Sequence, residues 1–121
     1  IVLVRCDLQS QIDAQAVASV AVEIDGVAYA AEGQGNGGFD AFTAAISQIL
    51  AELDLTLPEL LDYQVHIPRG GNTNALTEAS VTWQLANNAK ITTRGMHANQ
   101  AFAAVEATLR VLNRLLHERI Q

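Results

Sequence analysis

The feature that most constrains this chain is an internal repeat. The tripeptide Ala-Ser-Val occurs at residues 18–20 and returns at residues 79–81. Each copy opens a strand pattern that leads through a polar turn into another strand, a glycine and a long helical pattern. Duplication of one structural unit is the simplest account of this order. We therefore expect a single domain built from two like units, at about residues 1–57 and 58–121.

The first unit is expected to contain three strands followed by a helix. Residues 1–8 are rich in branched side chains, and residues 16–24 alternate in the way typical of a half-buried strand. Asp25-Gly26 accepts the positive φ angles of a type I′ turn, so residues 27–31 should return antiparallel. Apolar side chains then recur at spacings of three and four, which predicts one buried helical face. They are Phe39, Phe42, Ile46, Ile49, Leu50 and Leu53.

The second unit repeats this order. Residues 61–67 supply its leading strand, Asn87-Asn88 its hairpin turn, residues 90–93 its return strand, and Gly95 the counterpart of the first unit's glycines. A second helical stripe follows, formed by Phe102, Val105, Leu109, Leu112 and Leu116. The predicted fold class is α+β: a duplicated β-β-β-α unit with two antiparallel three-stranded sheets and two helices.

Both faces of the predicted sheets carry little charge, which favours a homodimer. One face is expected to hold Val20, Val22, Ile24, Val81, Trp83 and Leu85, and the other the small residues Ala21, Ala28, Ala30 and Ala31. A second copy of the chain would bury the apolar surface that remains. Phe102, Leu109 and Leu116 are assigned either to this interface or to the core.

The run GQGNGGFDA at residues 33–41 is the first candidate binding site. Glycine lets a ligand or another backbone approach closely, and four glycines in six positions predict a loop shaped for contact. The loop leads into a helix N-terminus, whose N–H groups favour a carboxylate or a phosphate. The alternative is that these glycines only form a tight turn between a strand and a helix.

Composition and charge exclude several classes of partner. Seven Lys and Arg against thirteen Asp and Glu give a net charge of −6, which disfavours nucleic acid and anionic membranes. No apolar run approaches the roughly 18 residues of a membrane span. The single cysteine, Cys6, excludes an internal disulfide, and a cytoplasmic location is expected. The chain begins at Ile1 without methionine, so we expect it to be a piece of a longer chain.

Catalytic chemistry has little support in the sequence. His66, His97 and His117 lack the spacing of metal ligands, Cys6 is expected to pack in a strand, and neither a metal nor a cofactor is predicted. Asp54, Glu59 and Asp62 are interpreted as solvated linker charges. The pattern Gly33-x-Gly35-x-x-Gly38 matches a dinucleotide fingerprint, but that fingerprint belongs to a parallel βαβ unit and a hairpin precedes it here.

Several spaced motifs resemble one known family. The segment GNGGFDA at residues 35–41 is similar to its G-N-G-P-x-D-A motif, LDY at 61–63 to its L-x-D-Y strand, and GNTNA at 71–75 to its G-x-D-A turn. Residues 95–114, ending in VLNR, resemble its closing helix. The family is the C-terminal regulatory domain of 2-isopropylmalate synthase, which is shared with citramalate synthase and called the LeuA allosteric or dimerisation domain.

The resemblance implies a dimeric double β₃α domain that binds a branched-chain amino acid, leucine in the synthase, as feedback inhibitor of a separate catalytic barrel in the parent chain. Acyl transfer itself is not expected here, because the barrel's catalytic motifs are absent. The implied effector-binding residues are Gly35, Asn36, Gly37, Gly38, Phe39, Ala41, Tyr63, Asn74 and Ala75.

Three positions depart from the family pattern. Gly38 replaces its proline, and Asn74 and Asn99 replace two aspartates that would suit an ammonium group. Two other functions therefore stay open: a structural dimerisation domain without an effector, and a citramalate synthase domain that senses isoleucine. A nucleotide-binding module is a more distant alternative.

Overall fold

The chain forms two compact units, residues 1–57 and 58–121, which are described separately. A computed structural model describes residues 1–10, 14–67 and 76–120, except for the side chains of residues 118–120. The first unit contains β1 (Val2–Gln9), β2 (Ala16–Ile24), β3 (Val27–Gly35) and α1 (Gly38–Glu52). The second contains β4 (Glu59–His66), β5 (Thr77–Gln84), β6 (Lys90–His97) and α2 (Gln100–Ile120). The predicted fold class, a duplicated β-β-β-α unit, is confirmed.

Each unit has an antiparallel sheet whose strands follow chain order, with the second strand in the centre. The predicted hairpin turn between β2 and β3 is confirmed, since Asp25 and Gly26 have φ angles of 52° and 80°. Both are positive, as a type I′ turn requires. β2 occupies the predicted residues, whereas β3 and β6 each run four residues beyond their predicted ends.

The two sheets share the same irregularity, which aligns the repeats. The register of β1 shifts between Leu3 and Arg5, and that of β4 shifts between Leu60 and Asp62. Ala18 pairs with Gly33 in the first sheet, and Ala79 pairs with Gly95 in the second. The repeated tripeptide therefore occupies equivalent positions in the central strands.

In each unit the helix covers one face of the sheet, against its second and third strands. The alternate residues of β2 and β5 that face the helix are buried. Of the predicted stripe of α1, Phe42, Ile46, Ile49 and Leu50 are buried, whereas Phe39 and Leu53 are half-buried. Of the predicted stripe of α2, Val105 and Leu112 are buried, whereas Phe102, Leu109 and Leu116 are half-buried. The rest of the buried face of α2 is formed by Ala103, Ala104, Ala107, Thr108 and Val111. The largest fully buried apolar side chains are Trp83, Phe42, Ile46, Ile49, Leu50, Val20, Val22, Val81, Val105 and Val111. Leu85, expected on this face, lies beyond the end of β5 and is only half-buried.

The expectation that both sheet faces carry little charge is wrong. Because directly paired residues share a face, the registers place one group of polar side chains on the face of the second sheet away from α2. That group is Glu59, Asp62, Gln64, His66, Glu78, Ser80, Thr82, Gln84, Lys90, Thr92 and Arg94. Glu59 and Asp62 are thus strand residues rather than linker charges. In the first sheet Ala21, Ala28 and Ala30 lie on the outer face as predicted, but Ala31 pairs with Val20 on the helix side.

Candidate functional site

The glycine-rich run is mostly regular structure. Gly33 and Gly35 belong to β3, α1 begins at Gly38, and only Asn36 and Gly37 lie between the strand and the helix. The prediction of a contact loop across the four glycines of residues 33–38 is therefore corrected to a two-residue turn. Its shortness follows from the first turn of α1 folding directly back over the end of β3.

Gly33 and Gly35 are required by the approach of the helix. A Cβ atom at Gly33 would lie 2.4 Å from both the Ala41 carbonyl oxygen and the Ala45 nitrogen. One at Gly35 would lie 2.6 Å from the Asp40 Cβ and 2.7 Å from the Ala41 nitrogen. Real Cβ atoms do not approach backbone this closely, so these two glycines allow the close packing of α1 on β3.

Gly37 is different, because the space around it is open. It is the N-cap residue of α1, with φ −146° and ψ 176°, and a Cβ atom there would meet nothing within 4 Å. In the described part of the chain, no side chain caps this helix. A group approaching Gly37 would therefore reach a helix N-terminus that its own N-cap side chain does not cover.

The residues after Gly37 divide between surface and core. Gly38 and Phe39 are half-buried, Asp40 is exposed in the first helical turn, and Ala41 is fully buried beneath the helix. Ala41 donates its N–H to the Gly37 carbonyl oxygen at 3.0 Å, which closes the first turn. Ala41 therefore stabilises the first turn of α1 through its backbone, and its buried side chain is not accessible to a ligand.

Tyr63 lies in the second unit, on the helix-facing side of β4. Burial raises the pKa of its phenol, while a hydrogen bond from the Gln100 side chain acts in the opposite direction. Tyr63 is thus connected to the first residue of α2. The other two predicted site residues, Asn74 and Ala75, lie outside the described residues.

The N-terminus of α2 is capped by the chain's own side chains. The Asn99 Oδ1 accepts hydrogen bonds from the N–H groups of Ala101 and Phe102 at 2.8 and 3.2 Å. The Asn99 N–H in turn donates to His97 Nδ1 at 2.9 Å, and the His97 ring lies 5.2 Å from that of Phe102. The equivalent positions at α1 hold Gly37 and Gly35, so the two helix starts differ in kind.

With this geometry established, the comparisons with known proteins decide the family. The family model of the LeuA allosteric (dimerisation) domain matches residues 1–116. The chain belongs to this family. It is also similar to a probable 2-isopropylmalate synthase of Methanopyrus kandleri, with 34% identity over 102 residues that cover 84% of this chain and 20% of the relative. The chain thus spans about a fifth of the length of that curated relative.

In this LeuA domain, Asn99 stands where the family pattern has an aspartate, and its role is now visible. Its side chain is an N-cap, a position where Asn and Asp are nearly equivalent. The missing charge at Asn99 therefore carries no information about a site for an ammonium group. This role could have been predicted from the sequence, because Asn is a preferred N-cap residue and Asn99 directly precedes an apolar helical pattern.

A buried polar group inside the LeuA domain was missed by sequence reasoning. The Trp83 Nε1 donates to the Thr93 Oγ1 at 3.0 Å, and that hydroxyl donates to the Ala107 carbonyl oxygen at 2.7 Å. Trp83 was predicted only as a core residue. Its partners could be found only from the register of β5 and β6 and the position of α2.

Reactive groups are sparse in the described residues. Burial raises the pKa of the Cys6 thiol to about 11, helped by the nearby Asp7 carboxylate, so the nucleophilic thiolate is disfavoured. Within residues 1–10, 14–67 and 76–120, no three His, Cys, Asp or Glu side chains are grouped to hold a metal ion. Across the same residues, none of the helices is both long and apolar enough to cross a membrane.

Proposed function

We propose that this domain regulates a 2-isopropylmalate synthase-like acyltransferase by binding a branched-chain amino acid, with leucine as the feedback inhibitor. The observation that carries the proposal is the start of α1: Gly37 is an open N-cap residue without a side chain, in a chain of the LeuA family. The parent enzyme would supply the catalytic barrel, act in the cytoplasm in branched-chain amino-acid biosynthesis, and dimerise through this domain.

The amino acid's carboxylate would bind at the N-terminus of α1. Helix N-termini favour anions, because the first N–H groups lack intrahelical acceptors and the helix dipole is positive there. Asn36 and Gly37 form the turn at this point, and neither places a bulky apolar side chain over it. The predicted contacts from Gly38 therefore remain consistent with this site, whereas Gly35 has a packing role.

The ammonium group needs negative charge or carbonyl oxygens, and Asp40 offers such a charge. Its carboxylate is exposed in the first turn of α1, within the segment that resembles the family's G-N-G-P-x-D-A motif. A charge-assisted hydrogen bond to a carboxylate is roughly twice as strong as one between neutral groups. Asp40 keeps the aspartate of that motif and is therefore the charge in the first unit that we assign to the ammonium group.

The branched side chain would pack on Phe39, which is half-buried beside Gly38. A methylene group in an apolar pocket discriminates by only about 1–3 kcal/mol. We therefore expect the affinities for leucine, isoleucine and valine to differ modestly. This leaves isoleucine, the effector expected of a citramalate synthase domain, as a measurable competitor.

Isothermal titration calorimetry of the domain with leucine, isoleucine and valine tests the proposal. Gly37→Val adds bulk where the ligand would approach, in an extended conformation that valine adopts easily, and should abolish binding. Ala28→Val is the matched control, because it adds the same side chain at an exposed position on the outer face of the first sheet. Asp40→Asn should weaken binding without removing bulk.

Two results would contradict the proposal. One is unchanged affinity in Gly37→Val while circular dichroism shows the parent fold. The other is the absence of heat from all three amino acids at millimolar concentration, which would favour a structural dimerisation domain without an effector.

A further inference from the structure

The second unit contains a side-chain hydrogen bond that fixes its helix on its sheet. Thr93, on β6, donates its hydroxyl to the Ala107 carbonyl oxygen of α2 at 2.7 Å. The Thr93 hydroxyl oxygen also accepts a hydrogen bond from Nε1 of the fully buried Trp83 at 3.0 Å. The hydroxyl hydrogen is therefore the one directed at the helix. We call Trp83, Thr93 and Ala107 the latch.

Further polar contacts hold the start of α2. Asn99 caps the helix through its side chain, and its N–H is bound by His97 at the end of β6. Gln100, the first helical residue, hydrogen-bonds Tyr63 on β4. Side chains of two strands and the preceding turn therefore define where α2 begins.

The first unit has none of these hydrogen-bonding side chains at the equivalent positions. The matching registers and the matching contacts of Gly33 and Gly95 with their helices establish the equivalence. In the latch, Trp83 corresponds to Val22, Thr93 to Ala31 and Ala107 to Ala45. At the helix start, His97 corresponds to Gly35, Asn99 to Gly37, Gln100 to Gly38 and Tyr63 to Cys6. Apart from the weakly bonding Cys6 thiol, no side chain in this set can form a hydrogen bond to α1.

Helix α1 is instead held by apolar packing. Phe42, Ile46, Ile49 and Leu50 are buried against the sheet, and apolar contact is not directional. At an exposed position the Gln48 amide also donates to the Glu32 carbonyl oxygen at 2.6 Å. Water can replace a bond of that kind at little cost, so it fixes the helix weakly.

The two helices therefore differ in their resistance to sliding. A shift of one residue moves a helix by about 1.5 Å along its axis, which would carry the Ala107 oxygen out of reach of Thr93 and leave a part-buried hydroxyl without its acceptor. A similar shift of α1 breaks no counterpart of the Thr93 hydrogen bond, and the close backbone contact at Gly33 has its equivalent at Gly95, so that contact does not distinguish the two helices. Discrete small shifts of packed helices are a common basis of regulation.

We propose that α1 is the moving element of this domain and that the latch makes α2 the fixed one, so that an effector bound at Gly37 acts by shifting α1 on its sheet. The role of the effector rests on the proposed function. The difference in mobility between the helices does not, because it is set by residues of the chain in the free state.

Hydrogen exchange of the free domain, followed by mass spectrometry or NMR, tests the difference in mobility. The equivalent segments are residues 45–50 of α1 and 107–112 of α2. We expect protection factors about tenfold lower in the α1 segment, the size of effect that one net hydrogen bond produces. Equal protection of the two segments, or stronger protection of α1, would overturn the proposal.

Three variants test whether the latch causes the difference in protection between α1 and α2. Thr93→Val removes the hydroxyl and should lower the protection of residues 107–112 to the level of α1. Thr108→Val is the matched control: Thr108 is buried on the same helix, but its hydroxyl donates to Ala104 within α2 and joins nothing to the sheet. Ala31→Thr places a hydroxyl at the equivalent position of the first unit and should raise the protection of residues 45–50, which keeps the test decisive if Thr93→Val does not fold.

The effector is then added at a saturating concentration, with leucine as the probe. Protection should rise in residues 45–50 and stay unchanged in residues 107–112. If calorimetry detects no binding, the proposed function fails while the comparison of the free helices still stands. If leucine binds but protects both segments alike, the moving role of α1 fails and the proposed function stands. If Thr93→Val and Thr108→Val lower the protection of residues 107–112 equally, the role of the latch in fixing α2 would also be overturned.

Discussion

Gly35 and His97 are the last residues of equivalent strands, yet only one of the two repeats has room for a side chain there. At Gly35 the first turn of α1 occupies the place of a Cβ atom, 2.6 Å from the Asp40 Cβ. At His97 the ring accepts a hydrogen bond from the Asn99 N–H and lies at 45° to the ring of Phe102, with the ring centroids 5.2 Å apart. After duplication, one helix start is thus packed by backbone contact and the other by side chains.

Gly35→Ala should destabilise the domain by about 1–3 kcal/mol, because the new methyl group would overlap the backbone of α1 rather than a flexible side chain. Gly37→Ala is the control, since a Cβ atom there meets nothing within 4 Å and the φ angle is extended. It should stay within about 1 kcal/mol of the parent, a change expected for alanine at an N-cap. Urea denaturation followed by circular dichroism measures both, and equal stabilities of the two variants would show that α1 does not lie as closely on β3 as described.

Asn99→Ala should cost about 0.5–2 kcal/mol, because two N–H groups of α2 would lose their acceptor. Asn99→Asp keeps the acceptor and adds a negative charge at the positive end of the helix, so it should be at least as stable as the parent. Thermal unfolding of the three proteins makes the comparison. Should Asn99→Asp prove as unstable as Asn99→Ala, the capping role is wrong.

Stability should decline in alkaline solution through Cys6. Burial, and secondarily Asp7, raises the pKa of this thiol from 9.0 to about 11, so between these values the unfolded chain releases a proton that the folded chain retains. The free energy of unfolding therefore falls as the pH rises from about 9 to 11, and is unaffected by this group at lower pH. Urea denaturation at about pH 8 and pH 10.5 should show a smaller loss in Cys6→Ser than in the parent; an identical loss in both would rule out a contribution from the thiol.

The domain should be a homodimer with a mass of about twice the 12.9 kDa of one chain. Several large apolar side chains remain exposed within the chain, among them Val2 at 63%, Val4 at 61% and Leu60 at 41%, and a standard interface buries roughly 1,200–2,000 Å². Static light scattering over a concentration series measures the mass. Repeating it at high salt separates apolar association, which salt does not weaken, from charge pairing, which it does. A mass of 12.9 kDa at micromolar concentration would contradict the dimer.

The sequence by itself determined the repeat, the element order and most of the core face of α1, whereas the predicted face of α2 has only Val105 and Leu112 buried. These depend on local periodicity, since a side-chain period of two or of about 3.6 is visible along the chain without knowledge of distant contacts. The turn at Asp25 and Gly26 belongs here too, because positive φ angles are a property of the residues themselves.

Only the tertiary structure decided the roles of the glycines and of the polar residues near the helix starts. A glycine that forms a ligand loop and one that lies under a helix look alike in the sequence. Gly33 and Gly35 are distinguished from Gly37 only by the helix backbone lying above them. Thr93 likewise looks like any strand threonine until the position of α2 brings the Ala107 carbonyl oxygen to 2.7 Å. The physical reason is common to both cases: close packing and hydrogen bonds between elements join residues distant along the chain, and no local period encodes them.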